Sequence, residues 1–214
     1  MAWMQTWSGR IIDFDKPIVD QVGSIDLADI AHALVRICRY GGHVDWWSVG
    51  AHGLLVSDLC EPYCPMDGQM HDDAEAYLGD QLTAIKVHLR RLETKHPGRS
   101  GLDVMHATFD DVIGSMYGLT WMNPGQSHDV VASMDHLALR LEVGRMFPAG
   151  TPVHKELAIT CEEVAAAGDG FRELVRRGDA KLLELMQIED LGSPKGREAI
   201  ERLFLDRFND LAVK

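Results

Sequence analysis

The chain has 214 residues, 46% hydrophobic and 25% charged, the balance of a globular protein long enough to bury a substantial core. Its 21 basic residues against 33 acidic ones give a formal net charge of -12, which works against sequence-independent DNA or RNA binding, since that rests on neutralising phosphates. No run approaches the roughly 18 to 20 apolar residues of a membrane helix, and the first ten residues lack the basic-then-apolar order of a secretory signal, so a cytoplasmic protein without a membrane partner is expected.

In chain order, only Gly9 to Phe14 reads as extended, which predicts at most a small hairpin. Leu27, Ile30, Ala31, Leu34 and Ile37 recur at helical spacing behind Asp26, a suitable N-cap. Ser48 opens a second helix with His52, Leu55, Val56 and Leu59 on one stripe. A third helix is predicted from Asp67 to Leu78, ending at Gly79. Further helices are marked by Leu102 to Met116 and by Val130 to Met146. Lys95 to Gly101 and Asn123 to Ser127 read as loops. Pro148 to Pro152 is the expected boundary between a unit spanning 1–150 and a helical extension, 151–214, packed on it. The final helix carries Ser193 as cap, Pro194 at its first position, and Ile200, Leu203, Phe204 and Phe208 on one face. The fold class is all-α.

The cysteines Cys38, Cys60, Cys64 and Cys161 match no disulfide scaffold and read as reduced thiols; Cys60 and Cys64 lack a second close pair to complete a zinc site. The chemistry lies elsewhere. In His71-Asp72-Asp73-Ala74-Glu75, a helix sets His71 and Asp72 about 100° apart, so both can reach one ion, with Glu75 one turn on. Such a face is equally what a solvated acidic surface looks like. His52 points into the core with its apolar stripe, where a histidine is also met as a hydrogen-bonded core residue, and Asp135 shares a face with Val131 and Ala138. A buried aspartate needs a cation or several donors. Two histidines and two aspartates form a mixed N/O set suited to a divalent transition metal. Trp46-Trp47 reads as a core anchor or a stacking platform, His32 as structural, and Arg176-Arg177 as part of a solvated face.

Asp29 to His43, with Arg39-Tyr40-Gly41-Gly42, resembles the opening of HD-domain phosphohydrolases of bacterial and phage type. Trp47-Ser48-Val49-Gly50-Ala51-His52-Gly53 is similar to their Tyr-Ser-Val-Ala-Gln/Glu-His-Ser element. His71-Asp72 followed by Ala74-Glu75-Ala76-Tyr77-Leu78-Gly79-Asp80 resembles their central motif. Asp135, with Glu142 seven residues on, matches their last aspartate. The likeness covers roughly residues 8 to 147; nothing beyond Pro152 contributes. Where relatives read Gly-Asp-Ile-Pro-x-Pro-x-Lys, Gly79 to Lys86 keeps the aspartate and the lysine and has neither proline.

The resemblance implies an HD-domain helical bundle in which His52, His71, Asp72 and Asp135 ligate a divalent ion (Zn, Co, Mn or Mg). It implies proton transfer and water positioning by Glu75 and Asp80, phosphate contacts by Arg39 and Lys86, and a sugar or base contact by Tyr40; His43 is a further candidate for phosphate. The implied activity is hydrolysis of a small 2'-deoxynucleotide by a homo-oligomer. The phage branch, in the host cytoplasm, points to dATP cleaved to deoxyadenosine and triphosphate. The alternatives are a 5'-deoxynucleotidase acting on monophosphates and a module that binds a nucleotide without cleaving it.

Overall fold

The computed structural model describes residues 2–93, 101–122, 125, 127–188 and 191–213, save the side chains of 92 and 93. The loop predicted over Lys95 to Gly101 lies outside the described residues up to Gly101, where a helix begins, and most of Asn123 to Ser127 lies outside them too.

Among the described residues the protein is all-α apart from one antiparallel hairpin, β1 (Trp3–Gln5) with β2 (Ile11–Asp13), in which Met4 faces Ile12. Ile12 is wholly buried, and Ser8 in the hairpin loop donates from its amide and its hydroxyl to the two oxygens of buried Asp29, at 2.8 and 2.7 Å. A 3-10 segment, Ile18–Ser24, leads to α1 (Leu27–Leu34), whose N-terminus is capped by Asp26 accepting from the Ala28 amide at 2.8 Å. The chain then makes a tight turn, Arg39–Gly42, and returns to α2 (Val49–Leu59), capped by Ser48. Backbone bonds from Arg39 to Trp47 and from Val49 to Ile37 close this loop at its base.

The predicted third helix is broken. It divides into α3 (Pro65–Met70) and α4 (Glu75–Leu78), with His71 to Ala74 in a turn between them. Amide bonds from Asp73 to Met70, Glu75 to Asp72 and Ala76 to Asp73 span three residues rather than four, so the chain is wound tighter here than an α-helix. Then come α5 (Thr83–Glu93), which sequence periodicity did not show, α6 (Gly101–Tyr117) and α7 (His128–Met146). Short helices α8 (Pro152–Leu157) and α9 (Cys161–Ala166) precede α10 (Asp169–Met186) and α11 (Pro194–Ala212).

Helix α2 is the central element. Ten of its eleven residues are buried, and α3, α7, α10 and α11 pack around it. It approaches α3 so closely that a Cβ on Gly53 would stand 2.7 Å from the Gln69 carbonyl oxygen, and Gly178 plays the same part where α10 meets Leu59 and Leu141. Residues beyond 151 add Leu182, Leu185, Ile200, Phe204 and Phe208 to the same buried cluster as Leu55, Ile113 and Leu137. Leu203, predicted on that face, is 38% exposed because it falls one position off the stripe of Ile200, Phe204 and Phe208. Arg177 is no solvated bystander: it donates to the Leu59 carbonyl at 2.8 Å and so caps the end of α2. Trp47 is core, whereas Trp46 lies beneath the Arg197 guanidinium; His32 stacks on Trp7, its ring centroid 4.3 Å away. The four cysteines are free, and no described helix is long and apolar enough to cross a membrane.

Candidate metal centre

His52 reaches the centre from the first turn of α2, His71 and Asp72 from the turn between α3 and α4, and Asp135 from the second turn of α7. The wholly buried His52 ring places Nε2 3.0 Å from Asp135 Oδ1 and 4.0 Å from Asp72 Oδ2. His71 Nε2 stands 3.3 Å from Asp72 Oδ2 and 3.7 Å from Asp135 Oδ1. His52, His71 and Asp72 each offer a ligand atom within 4.8 Å of the others, so this group could hold a metal ion.

The surroundings prepare both rings for that role. His52 Nδ1 donates to Glu142 Oε1 at 2.6 Å, and His71 Nδ1 donates to the Gly68 carbonyl at 2.9 Å. Each bond occupies the far nitrogen and turns Nε2 toward the centre. His71 Nε2 is buried and makes no hydrogen bond, as expected of an atom shaped to ligate. Burial alone would raise Asp72, Asp135 and Glu142, but the imidazoles beside them, with Arg39 beside Asp72 and Glu142, overcome it. Asp72 and Asp135 stay well below the carboxylate range, and Glu142 is held at about 2. The same carboxylates outweigh burial and raise the proton affinity of both rings, so an ion bound here would displace protons from the two Nε2 atoms; ionised carboxylates with the Nε2 atoms so freed would fit a divalent transition ion.

Because the helix breaks at His71, the turn presents His71 and Asp72, and the first residue of α4 presents Glu75. Next to Asp72 opens a cavity of about 200 Å3 lined by Arg39, Tyr40, Glu75, Asp80, Lys86 and Asp135, among others. Lys86 Nζ, on α5, stands 3.5 Å from Glu75 Oε1, while Glu75 Oε2 is buried without a hydrogen-bond partner. Burial, then the charges of Asp72 and Asp80, push the Glu75 carboxyl up to about 8, and burial likewise raises Asp80. Arg39 NH1 lies 3.4 Å from Asp72 Oδ2. Tyr40 holds a left-handed backbone at φ 58°, unusual for a residue with a side chain, and its hydroxyl donates to Glu142 Oε2 at 2.6 Å. Nine of the ten predicted residues thus gather at the centre or its cavity; the exposed His43 is not among the cavity's lining.

Glu142 is the residue whose part the sequence reading left unassigned. Wholly buried, it ties His52 to Tyr40 and stands 3.5 Å from Arg39 Nε. Its spacing of seven from Asp135, two helical turns on the same side of α7, was the available signal.

No family model matches the chain. The protein YfdR of Escherichia coli (strain K12), described as uncharacterized, is 34% identical over 120 residues, a stretch covering 56% of this chain and 60% of YfdR. The chain therefore matches less than two thirds of that relative's length, and the relative's name brings no activity with it.

Proposed function

We propose that this chain is a metal-dependent phosphohydrolase of 2'-deoxynucleotides of the HD-domain type, with dATP cleaved to deoxyadenosine and triphosphate as the leading reaction. The observation that carries the reading is the convergence of His52, His71, Asp72 and Asp135 beside a cavity holding two cations, Arg39 and Lys86, and two carboxyls with raised affinity for protons, Glu75 and Asp80. A divalent ion bound by the four ligands would polarise a phosphate oxygen and lower the pKa of water at that point. Lys86 and Arg39 would bind the phosphate chain and offset charge developing on its oxygens. Glu75, still largely protonated at pH 7, would give its proton to the leaving oxygen from a position beside Lys86. Asp80, in the same cavity, would orient the attacking water.

The cavity volume favours a second reading. About 200 Å3 falls short of the roughly 300 Å3 at which drug-sized ligand pockets begin, so it suits a phosphate and sugar better than a whole triphosphate. A 5'-deoxynucleotidase acting on monophosphates is that reading. Incubating the purified chain with Mn2+, Co2+, Zn2+ or Mg2+ and each dNTP and dNMP, with products separated by ion-exchange chromatography, decides between them. Intact triphosphate released from dATP is expected. Orthophosphate from dAMP with dATP untouched would leave the nucleotidase, and no product from any substrate would remove the enzymatic reading.

A further inference from the structure

On α7 the buried stripe of Val131 and Ala138 meets, one turn further on, not an apolar residue but the wholly buried Glu142. A carboxylate is costly to bury unless donors answer it, and this one is answered from two sides of the site. Oε1 accepts from His52 Nδ1 at 2.6 Å. Oε2 accepts from the Tyr40 hydroxyl, also at 2.6 Å, and stands 3.5 Å from Arg39 Nε. The Tyr40 side needs holding. Tyr40, Gly41 and Gly42 follow one another in left-handed backbone, at φ 58°, 60° and 76°, and of the three only Tyr40 carries a side chain, so its conformation is costly by itself. Beyond it Gly41, Gly42 and His43 are exposed, and the turn closes on itself through the bond from the His43 amide to the Tyr40 carbonyl. The Tyr40 ring packs edge-on against Phe147, centroids 5.2 Å apart, which leaves its hydroxyl pointing at Glu142.

We propose that Glu142 is a positioning residue for both halves of the site: through Oε1 it orients His52 for an ion, and through Oε2 it holds the Arg39–Tyr40 turn in shape for a nucleotide. One buried side chain then fixes where the ligand nitrogen lies relative to the turn, and a substrate meets a surface already formed. Arg39 has a second hold, on Asp72 at 3.4 Å, so the dependence on Glu142 should show first at Tyr40. The inference rests on the metal centre of the proposed function and not on its nucleotide chemistry.

Two measurements made without nucleotide test this. Mn2+ affinity of chelator-stripped chain is read by electron paramagnetic resonance, and hydrogen exchange of the Arg39 to His43 amides in metal-free chain by mass spectrometry. Glu142→Met, similar in length but lacking the carboxylate, should weaken Mn2+ by roughly tenfold to a hundredfold. It should speed exchange at the turn by about tenfold, the worth of one bond to a charged group, while α2 and α7 exchange as in wild type. Glu142→Gln can accept from His52 with its oxygen and donate to the Tyr40 oxygen with its nitrogen, so it should recover part of both properties. Tyr40→Phe removes only the hydroxyl and keeps the ring on Phe147; it should speed exchange at the turn and leave Mn2+ affinity near the wild-type value, and it decides the turn side should Glu142→Met not fold. Unchanged Mn2+ affinity in folded Glu142→Met would overturn the proposal, as would unchanged exchange at the turn in that variant or in Tyr40→Phe. So would exchange rising throughout α2 and α7, the mark of a merely structural residue, or a Glu142→Gln no better than Glu142→Met, the mark of lost charge alone. Wild type that takes up no Mn2+ would overturn it together with the proposed function. Both properties behaving as expected, with no nucleotide turned over, would remove the proposed function and leave this inference standing.

Discussion

Two hollows of this molecule differ in a way that volume alone would misjudge. The larger, about 780 Å3, lies between α7, α9 and α10 over an apolar floor that includes Leu141, Val164 and Val175, with arginines at its rim. Each guanidinium there already has partners. Arg140 forks onto Glu163 at 2.7 and 2.9 Å, Arg145 onto Asp179, and Arg176 onto Glu173, while Arg172 donates to the Val164 and Ala165 carbonyls. The smaller hollow, about 200 Å3, is the reverse. Around it Arg39 Nε, His71 Nε2 and Glu75 Oε2 are buried without hydrogen bonds. A large space shows where helices meet loosely; unsatisfied buried polar atoms show where a structure holds chemistry in readiness. The two hollows should accordingly respond very differently to substitution.

The largest effect is expected for Asp72→Ala. It removes a ligand from the turn between α3 and α4, so turnover should fall to background and elemental analysis should show metal lost; full metal content with full turnover would break the ligand assignment. Next comes Glu75→Gln, which keeps shape and metal but cannot transfer a proton, and should slow turnover by about a hundredfold or more. The same variant tests the raised proton affinity. Wild-type Glu75 is neutral in the fold up to about pH 8 but ionises near 4.5 when unfolded, so the stability it contributes is complete below about pH 4.5 and is lost as pH rises toward 8. The melting temperature of Glu75→Gln should therefore gain on wild type from pH 5 to pH 8 and then level off. A constant difference across that range would mean the carboxyl is not shifted.

Lys86→Ala should have a smaller effect, and a selective one. A charge-assisted contact is worth about 1.5 to 3 kcal/mol, so kcat/KM for dATP should drop roughly tenfold to a hundredfold, and less for dAMP, which carries less charge. Equal losses on the two substrates would remove Lys86 from the distal phosphates. Smallest of all, Arg176→Ala at the rim of the larger hollow breaks only an exposed pair with Glu173, worth at most about 1 kcal/mol, and turnover should stay within about twofold. A severe loss of activity there would break the contrast between the hollows.

What could be read from the sequence was whatever obeys local rules. Asp26, Ser48 and Ser193 cap helices because a short polar side chain reaches an amide two or three residues on, and that reach is fixed by spacing. The inward aim of His52 followed from its place on the stripe of Leu55, Val56 and Leu59. The break at His71 did not, since no glycine or proline marks it. Part of what holds it is tertiary: α1 packs on α4. Helix α5 escaped because Lys86, Arg90 and Arg91 leave it too polar for an apolar stripe to show. The tie from Glu142 to Tyr40 joins residues 102 apart and is invisible to any local pattern.

The clasp between Ser8 and Asp29 has a consequence for the N-terminal edge. Asp29 is 4% exposed, and its two oxygens depend on the amide and hydroxyl of a residue in the hairpin loop. A chain shortened to begin at Phe14 would lose the Ile12 side chain from the core and leave a carboxylate inside α1 without those two donors. Each such bond to a charged group contributes about 1.5 to 3 kcal/mol, a sizeable part of the 5 to 15 kcal/mol that holds a typical domain folded. The hairpin from Trp3 to Asp13 is a cork in the helical bundle.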